Sequence, residues 1–137
     1  RGTYRMPVRD NLVPLSDGAG EVVEAGPGVV RVKAGDKVAG CFFQRWPGGD
    51  LGPRVHASAL GGSIDGMLAE YVVLEEEGVV PIPAHLSIEE AAALPCAAVT
   101  AWNAMMHHAR LIAGQSVLLR APGACRSSAC NSRTRWA

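Results

Sequence analysis

Short apolar stretches separated by polar, glycine-rich turns fill the first part of the chain. Residues 21–25 contain two β-branched valines and end at a Gly-Pro-Gly turn, residues 26–28. A second turn, Ala-Gly-Asp at residues 34–36, precedes the apolar stretch 37–40. Stretches of this length and composition, bounded by glycine and proline, predict short β-strands.

The next section alternates between loop-like and strand-like composition. Residues 45–62 are rich in glycine, proline and polar side chains and show no period, which predicts a loop. Residues 67–74 and 78–82 are again apolar and predict two more strands, joined by the acidic turn at 75–77.

A different pattern begins at Ser87. Ser87 and Glu90 have the spacing of a capping box, which predicts the start of a short alanine-rich helix over residues 88–94. Pro95 is expected to end or restart that helix, because proline disfavours the helical conformation in the residue before it.

A second helix is predicted for residues 97–110. Its apolar composition indicates a mostly buried helix, and His107 and His108 lie in its last turn, where cations suit the helix dipole. Gly114 follows as a stop signal, and residues 116–119 form an apolar run typical of a parallel strand. Strands followed by helices and one further strand predict an α+β fold, mainly β with α.

Composition narrows the function classes. The 137 residues include 13 Lys and Arg and 13 Asp and Glu, so the formal net charge is zero, which argues against a nucleic-acid or anionic-membrane partner. At 48% hydrophobic and 19% charged residues, the chain can form a core. It contains no run of about 18 apolar residues, so no transmembrane helix is expected.

The first ten residues and the cysteines indicate the compartment. Residues 1–10 show no secretory signal and resemble the interior of a domain, so a true N-terminus upstream of Arg1 is expected. The four cysteines (Cys41, Cys96, Cys125 and Cys130) lack the spacing of a structural zinc site. Free thiols in a reducing cytoplasm are therefore predicted.

Two separated motifs carry a family resemblance. Residues 18–40 read GAGEVVEAGPGVVRVKAGDKVAG, and residues 94–119 read LPCAAVTAWNAMMHHARLIAGQSVLL. In this order and spacing they resemble the medium-chain dehydrogenases/reductases, in particular the zinc-independent alcohol dehydrogenase and quinone oxidoreductase type. The resemblance implies a partial GroES-like β-barrel catalytic domain at 7–86, its N-terminal part missing. A helical passage and the first strand of a truncated Rossmann domain follow at 87–120.

The resemblance also bears on zinc. In alcohol dehydrogenases of this family a His-Glu pair precedes the Gly-x-Gly motif, and its histidine ligates catalytic zinc. Here Ser16 and Asp17 occupy those two positions, and a serine hydroxyl is a poor zinc ligand. Cys96 falls where another ligand usually lies, but a small buried residue at a helix start is the favoured interpretation. The sequence therefore predicts no metal site.

The same family resemblance suggests the site residues. No catalytic residue is identified outright; Ser16 and Asp17 are the candidates, as a proton-relay pair, although a turn or cap role is favoured for them. Thr100 resembles the threonine that faces the nicotinamide ring in family members, and a hydroxyl bonded to its own i−4 carbonyl is an equal alternative. His107 and His108 are expected to cap the helix, with the neighbouring methionines, Met105 and Met106, in the core.

The last segment, residues 121–137, departs from the family. A glycine-rich pyrophosphate turn and an amphipathic helix are expected there, but the sequence has neither. Codons chosen within degeneracy from Arg120 onward give, in another frame, GTGGVSVFGLQFAHALG, which contains both. We therefore expect an aberrant, frameshifted and disordered tail; the alternative is a natural, divergent tail.

The hypothesis from sequence is a truncated NAD(P)(H)-dependent oxidoreductase that is inactive alone. Its full-length parent is expected to transfer a hydride to or from a small carbonyl, quinone or enone without zinc, in the cytoplasm, with a homodimer as one option. Charge spread into a conjugated enolate needs only a hydrogen-bond donor, which favours quinones and enones. The alternative is a stand-alone GroES-like binding module without enzymatic activity.

Overall fold

Three short antiparallel strands form the only sheet within residues 10–118, the part of the chain that the structure, a computed structural model, describes. The strands are β1 (Ala19–Glu21), β2 (Lys37–Gly40) and β3 (Val79–Pro81). β2 lies in the centre, with Ala39 opposite Ala19 on one side and opposite Val80 on the other. The predicted strands at 21–25, 37–40 and 78–82 are thus found at or beside their expected positions.

Glycines with positive φ form the two turns between β1 and β2. Gly28 has φ +86° after Pro27, and Gly35 has φ +89°. Backbone bonds from Val29 N to Gly26 O (3.2 Å) and from Asp36 N to Lys33 O (3.1 Å) close the turns. A left-handed third position is what a type II turn requires, so glycine is the residue expected there.

The predicted strand at 67–74 is wrong. Met67 N and Leu68 N donate to Leu15 O (2.8 Å) and Pro14 O (3.1 Å), but residues 69–74 belong to no strand. Tyr71 and Val73 are exposed, Val73 by 98%. The apolar composition suggested a strand, but a strand also needs a partner along its length, and only its first residues have one.

The predicted loop at 45–62 contains more order than its composition indicates. A short helix, α1 (Pro53–His56), starts at a proline, whose fixed φ suits the first helical position. After it, Ala59 and Leu60 are buried, and Leu60 N donates to Phe42 O (3.0 Å).

The capping box is confirmed. Helix α2 (Ile88–Ala92) begins after Ser87, whose hydroxyl accepts from Glu90 N (3.1 Å) while Ser87 N donates to the Glu90 carboxylate (2.9 Å). Helix α2 packs on β1 and β2, and its Ala91 is buried. The core within residues 10–118 therefore consists of alanines and valines together with Leu60, contributed by the sheet, the helices and the loop before Gly61.

The second helical stretch is irregular and exposed. Around Pro95 the chain restarts with a π-helical turn, Leu94–Ala98, followed by α3 (Val99–Trp102) and a second π-helical turn, Asn103–His108. The prediction of a mostly buried helix is wrong in the described part of the chain, because Ala101 is the only buried residue of α3. Within that part, α3 packs chiefly on its own two neighbouring turns.

The expected Rossmann strand is not formed over residues 116–118. Strands need a neighbour, and the sheet within residues 10–118 consists of β1, β2 and β3 alone. Leu119 and the predicted tail at 121–137 lie outside the described residues. No helix between residues 10 and 118 has the length and apolar character needed to cross a membrane.

Candidate active site

The segment before β1 brings Ser16 and Asp17 together. The Ser16 hydroxyl donates a hydrogen bond to Asp17 Oδ1 at 3.1 Å, and both residues are half-buried. Gly40 N donates to Gly18 O (3.1 Å), which extends the β1–β2 pairing by one residue toward the pair. Ser16 and Asp17 are therefore held at the end of a paired strand.

The residue before Ser16 has an unusual backbone. Leu15 has φ +70°, in the left-handed region that side chains other than glycine rarely adopt. Conformations of this kind persist only where the surrounding structure holds them, and they concentrate at functional sites. The sequence gives no local signal for this one, since leucine is not a residue that favours positive φ.

Cys41 follows β2 directly and is half-buried. Its amide donates to Gly78 O (2.8 Å). Burial raises the pKa of the Cys41 thiol above its ordinary value, and the nearby Arg31 charge opposes part of that rise. The protonated thiol is therefore favoured, which makes Cys41 a poor nucleophile at neutral pH.

Gln44 is a buried residue that sequence analysis missed. Only 2% of it is exposed. Its Nε2 donates to Cys41 O (2.8 Å) and to Gly78 O (2.9 Å), while its Oε1 accepts from Glu75 N (3.0 Å). Gln44 thus ties the end of β2 to the turn before β3. The one available signal was an amide directly after two phenylalanines.

The 3₁₀ turn Glu76–Gly78, which overlaps the acidic turn at 75–77, is hydrogen-bonded to the loop between β1 and β2. Val30 N and Arg31 N donate to Glu76 Oε2 at 3.0 and 3.1 Å, and Arg31 Nη1 contacts Glu77 Oε2 at 2.7 Å. The two backbone donors lower the pKa of the Glu76 carboxyl, with a smaller contribution from the Arg31 charge.

Thr100 and Cys96 lie on the exposed helical stretch. Thr100 is exposed on α3, and its hydroxyl makes no hydrogen bond to another residue between 10 and 118, so the bond to its i−4 carbonyl is not seen. Cys96 is exposed, so its predicted burial is wrong. Nothing in the described range links Thr100 to Ser16 or Asp17 by a hydrogen bond.

His107 and His108 end the second π-helical turn. Both are exposed, and their rings meet edge to face at 5.4 Å. Met106 is 36% exposed, so the expectation that it fills the core is wrong.

Between residues 10 and 118, no three or more His, Cys, Asp or Glu side chains lie close enough to hold a metal ion. For a nicotinamide cofactor the fit is partial: the Thr100 hydroxyl is available, but no described strand leads into a helix N-terminus that could hold a pyrophosphate.

Comparisons with known proteins agree on one family. Residues 1–84 match the alcohol dehydrogenase GroES-like domain. A zinc-type alcohol dehydrogenase-like protein of Schizosaccharomyces pombe is 43% identical over 77% of this chain and 30% of its own length. The chloroplast envelope quinone oxidoreductase homolog of Arabidopsis thaliana is 40% identical over 77% of this chain and 27% of its own. The chain thus spans less than a third of the length of these relatives.

Solved structures show the same fold. A Sinorhizobium meliloti protein assigned to the alcohol dehydrogenases superposes with a TM-score of 0.86 at 34% identity, covering 96% of this chain and 40% of that one. A cobalt- and zinc-bound thermostable alcohol dehydrogenase from Pyrobaculum aerophilum gives a TM-score of 0.72 at 31% identity, covering 91% and 39%. The expected partial GroES-like α+β fold is confirmed.

Proposed function

Because the chain belongs to the alcohol dehydrogenase GroES-like domain family, we propose that it is the substrate-side part of an NAD(P)(H)-dependent oxidoreductase. The proposed reaction moves a hydride to or from a small carbonyl, quinone or enone without catalytic zinc. One relative carries a quinone oxidoreductase name and another is named 2-methylene-furan-3-one reductase, which supports conjugated substrates.

The observation that carries the proposal is the hydrogen bond from the Ser16 hydroxyl to Asp17 Oδ1 (3.1 Å). In that geometry the Ser16 Oγ lone pairs are free, and one of them is able to accept a proton from a substrate hydroxyl. Ser16 would pass its own proton to the Asp17 carboxylate, so one proton crosses the pair and neither residue gains or loses electrons. In the reducing direction the same transfers run backward, and the substrate oxygen receives the proton.

Serine in place of a histidine ligand at position 16 supports a substrate class that does not need zinc. Reduction of a simple ketone leaves charge on one oxygen, which a metal normally stabilises. Reduction of a quinone or enone spreads that charge over a conjugated system. A hydroxyl donor such as Ser16 is then sufficient, provided that a protonated Asp17 donates to Ser16 Oγ in turn.

The nicotinamide cofactor would supply the hydride. Thr100 is the residue of this chain proposed to contact the nicotinamide ring, since its hydroxyl is exposed and has no partner within residues 10–118. The pyrophosphate site is proposed to belong to a longer parent, in which a restored reading frame supplies the glycine-rich turn. Cytoplasmic location and a homodimeric parent remain predictions.

DNA sequencing and turnover measurements test the proposal. One additional base near the Arg120 codon should restore the glycine-rich turn, and the resulting protein should reduce a quinone or enone without added metal. Ser16→Ala should lower kcat by about 10²–10⁴-fold, as loss of a proton-transfer group does. Ser87→Ala, at an exposed serine that caps α2, is the matched control and should leave kcat of the folded protein unchanged.

Metal analysis tests the zinc-free part separately. After dialysis, the 137-residue chain should contain far less than one zinc per protein. Stoichiometric zinc that disappears in Cys96→Ala would contradict the zinc-free mechanism. Restored protein that binds partners but neither binds NAD(P)H nor turns over any of these substrates would favour the stand-alone binding module.

A further inference from the structure

The left-handed backbone at Leu15 lies directly before the proposed proton-relay pair. Leu15 is 55% exposed, so its side chain is only partly packed and does not explain why the residue holds φ +70°. A conformation that costs free energy for leucine must be imposed from outside the residue.

A glycine-rich loop, residues 61–68, holds this segment through backbone hydrogen bonds. Gly66 N donates to Val13 O (2.7 Å), Met67 N to Leu15 O (2.8 Å) and Leu68 N to Pro14 O (3.1 Å). In the opposite direction, Val13 N donates to Asp65 Oδ1 (3.2 Å). Four bonds therefore fix both ends of the segment that precedes Ser16.

Two glycines of this loop have no side chain, and the Leu15 backbone occupies the space that a side chain would fill. A Cβ added at Gly61 would come within 2.7 Å of the Leu15 carbonyl carbon, and one added at Gly66 would overlap Leu15 O. Gly62, between them in sequence, has room: a Cβ there would meet only Ala59 at 3.9–4.0 Å. The close approach is therefore specific to Gly61 and Gly66.

The loop at 61–68 also contacts the residue that follows Asp17. A Cβ at Gly18 would lie 2.7 Å from Met67 Cβ, so the Met67 side chain packs directly on the residue after Asp17. The same loop thus contacts the chain immediately before Ser16 and immediately after Asp17.

We propose that Gly61 and Gly66 are positioning residues for the Ser16–Asp17 pair. By holding Leu15 in the left-handed conformation, they set the direction in which the chain enters Ser16, and with it the hydrogen bond to Asp17. The proposal deepens the proposed function and rests on it for its catalytic meaning.

The hydrogen bond itself is the readout, because general destabilisation of a protein that is still folded would not remove it. Deuteration of the Ser16 hydroxyl should shift the 13Cγ resonance of Asp17 in the 137-residue chain, and Ser16→Ala identifies that shift by abolishing it. Gly66→Ala should abolish it too, while Gly62→Ala should retain it. An unchanged shift in folded Gly66→Ala overturns the proposal.

Leu15→Gly keeps the proposal testable if Gly66→Ala does not fold. Because the loop imposes the left-handed conformation on residue 15, Leu15→Gly should retain the Asp17 isotope shift. It should do so even though a glycine at this position is free to adopt other conformations. Loss of the shift in Leu15→Gly would mean that the leucine side chain, and not the loop, holds the pair, which overturns the proposal. A retained bond in a restored parent without reductase activity would contradict the proposed function and leave the positioning role standing.

Discussion

Replacing Gln44 by methionine should destabilise the fold strongly, although Gln44 is not one of the proposed site residues. Methionine is an unbranched side chain of similar length, so packing is largely kept while the amide is lost. The three hydrogen bonds of Gln44, to Cys41 O, Gly78 O and Glu75 N, disappear together.

The magnitude follows from the number and burial of these bonds. A typical intramolecular hydrogen bond contributes about 1 kcal/mol net, so the loss of three corresponds to about 3 kcal/mol. The bond to Gly78 O is fully buried, whereas the other two are half-buried. After the substitution Gly78 O keeps its bond from Cys41 N (2.8 Å), so its loss is partial. We expect the free energy of unfolding to fall by about 2–4 kcal/mol.

Equilibrium urea denaturation followed by circular dichroism measures this change, with Gln115→Met as the matched control. Gln115 is exposed, and its side chain accepts one local bond, from Ile112 N (3.1 Å). Gln115→Met should therefore change the free energy of unfolding by less than about 1 kcal/mol. If Gln44→Met and Gln115→Met lower stability equally, the buried amide does not connect β2 to the turn before β3 as inferred.

Three further predictions concern acid stability, helix capping and cofactor binding. The pKa of Glu76 is lowered in the folded chain, so its stabilising contribution is complete above its unfolded-state pKa and is lost as pH falls through the lower, folded-state pKa. The melting temperature of Glu76→Gln should therefore fall less on acidification than that of the unchanged chain. An equal fall in the two proteins contradicts the assignment. Ser87→Ala should cost about 1 kcal/mol in urea denaturation by removing the capping box, with Ser116→Ala as an unaffected control. The 137-residue chain should show no NAD(P)H binding by calorimetry, because Thr100 offers one bond worth about 1 kcal/mol and micromolar affinity needs about 8 kcal/mol; micromolar binding would show that the cofactor contacts lie within this chain.

Local features of the fold could be predicted from sequence because their causes lie within a few residues. The turns at Gly28 and Gly35 need a residue that tolerates positive φ, and the capping box needs Ser87 and Glu90 three residues apart. The family and the partial GroES-like fold were also predictable, since two motifs in a fixed order carry them.

Features that depend on a pairing or packing partner elsewhere in the chain could not be predicted from sequence. Residues 67–74 have the composition of a strand, yet only the first two pair with the chain, at Pro14 and Leu15. The helix over 97–110 has the composition of a buried element, yet Ala101 is its only buried residue. Composition records what a segment is able to bury or pair, whereas the presence of a partner is a property of the whole fold.

The candidate site shows the same division. The sequence by itself determined that Ser16 and Asp17 are adjacent and that no histidine stands at either position. Only the tertiary structure decided that Leu15 is left-handed, that Gly61 and Gly66 lie against it, and that Gln44 joins strands 30 or more residues apart. These contacts join segments distant in sequence, so their energies depend on how the chain folds back on itself and leave no periodic or local signal in the residues that make them.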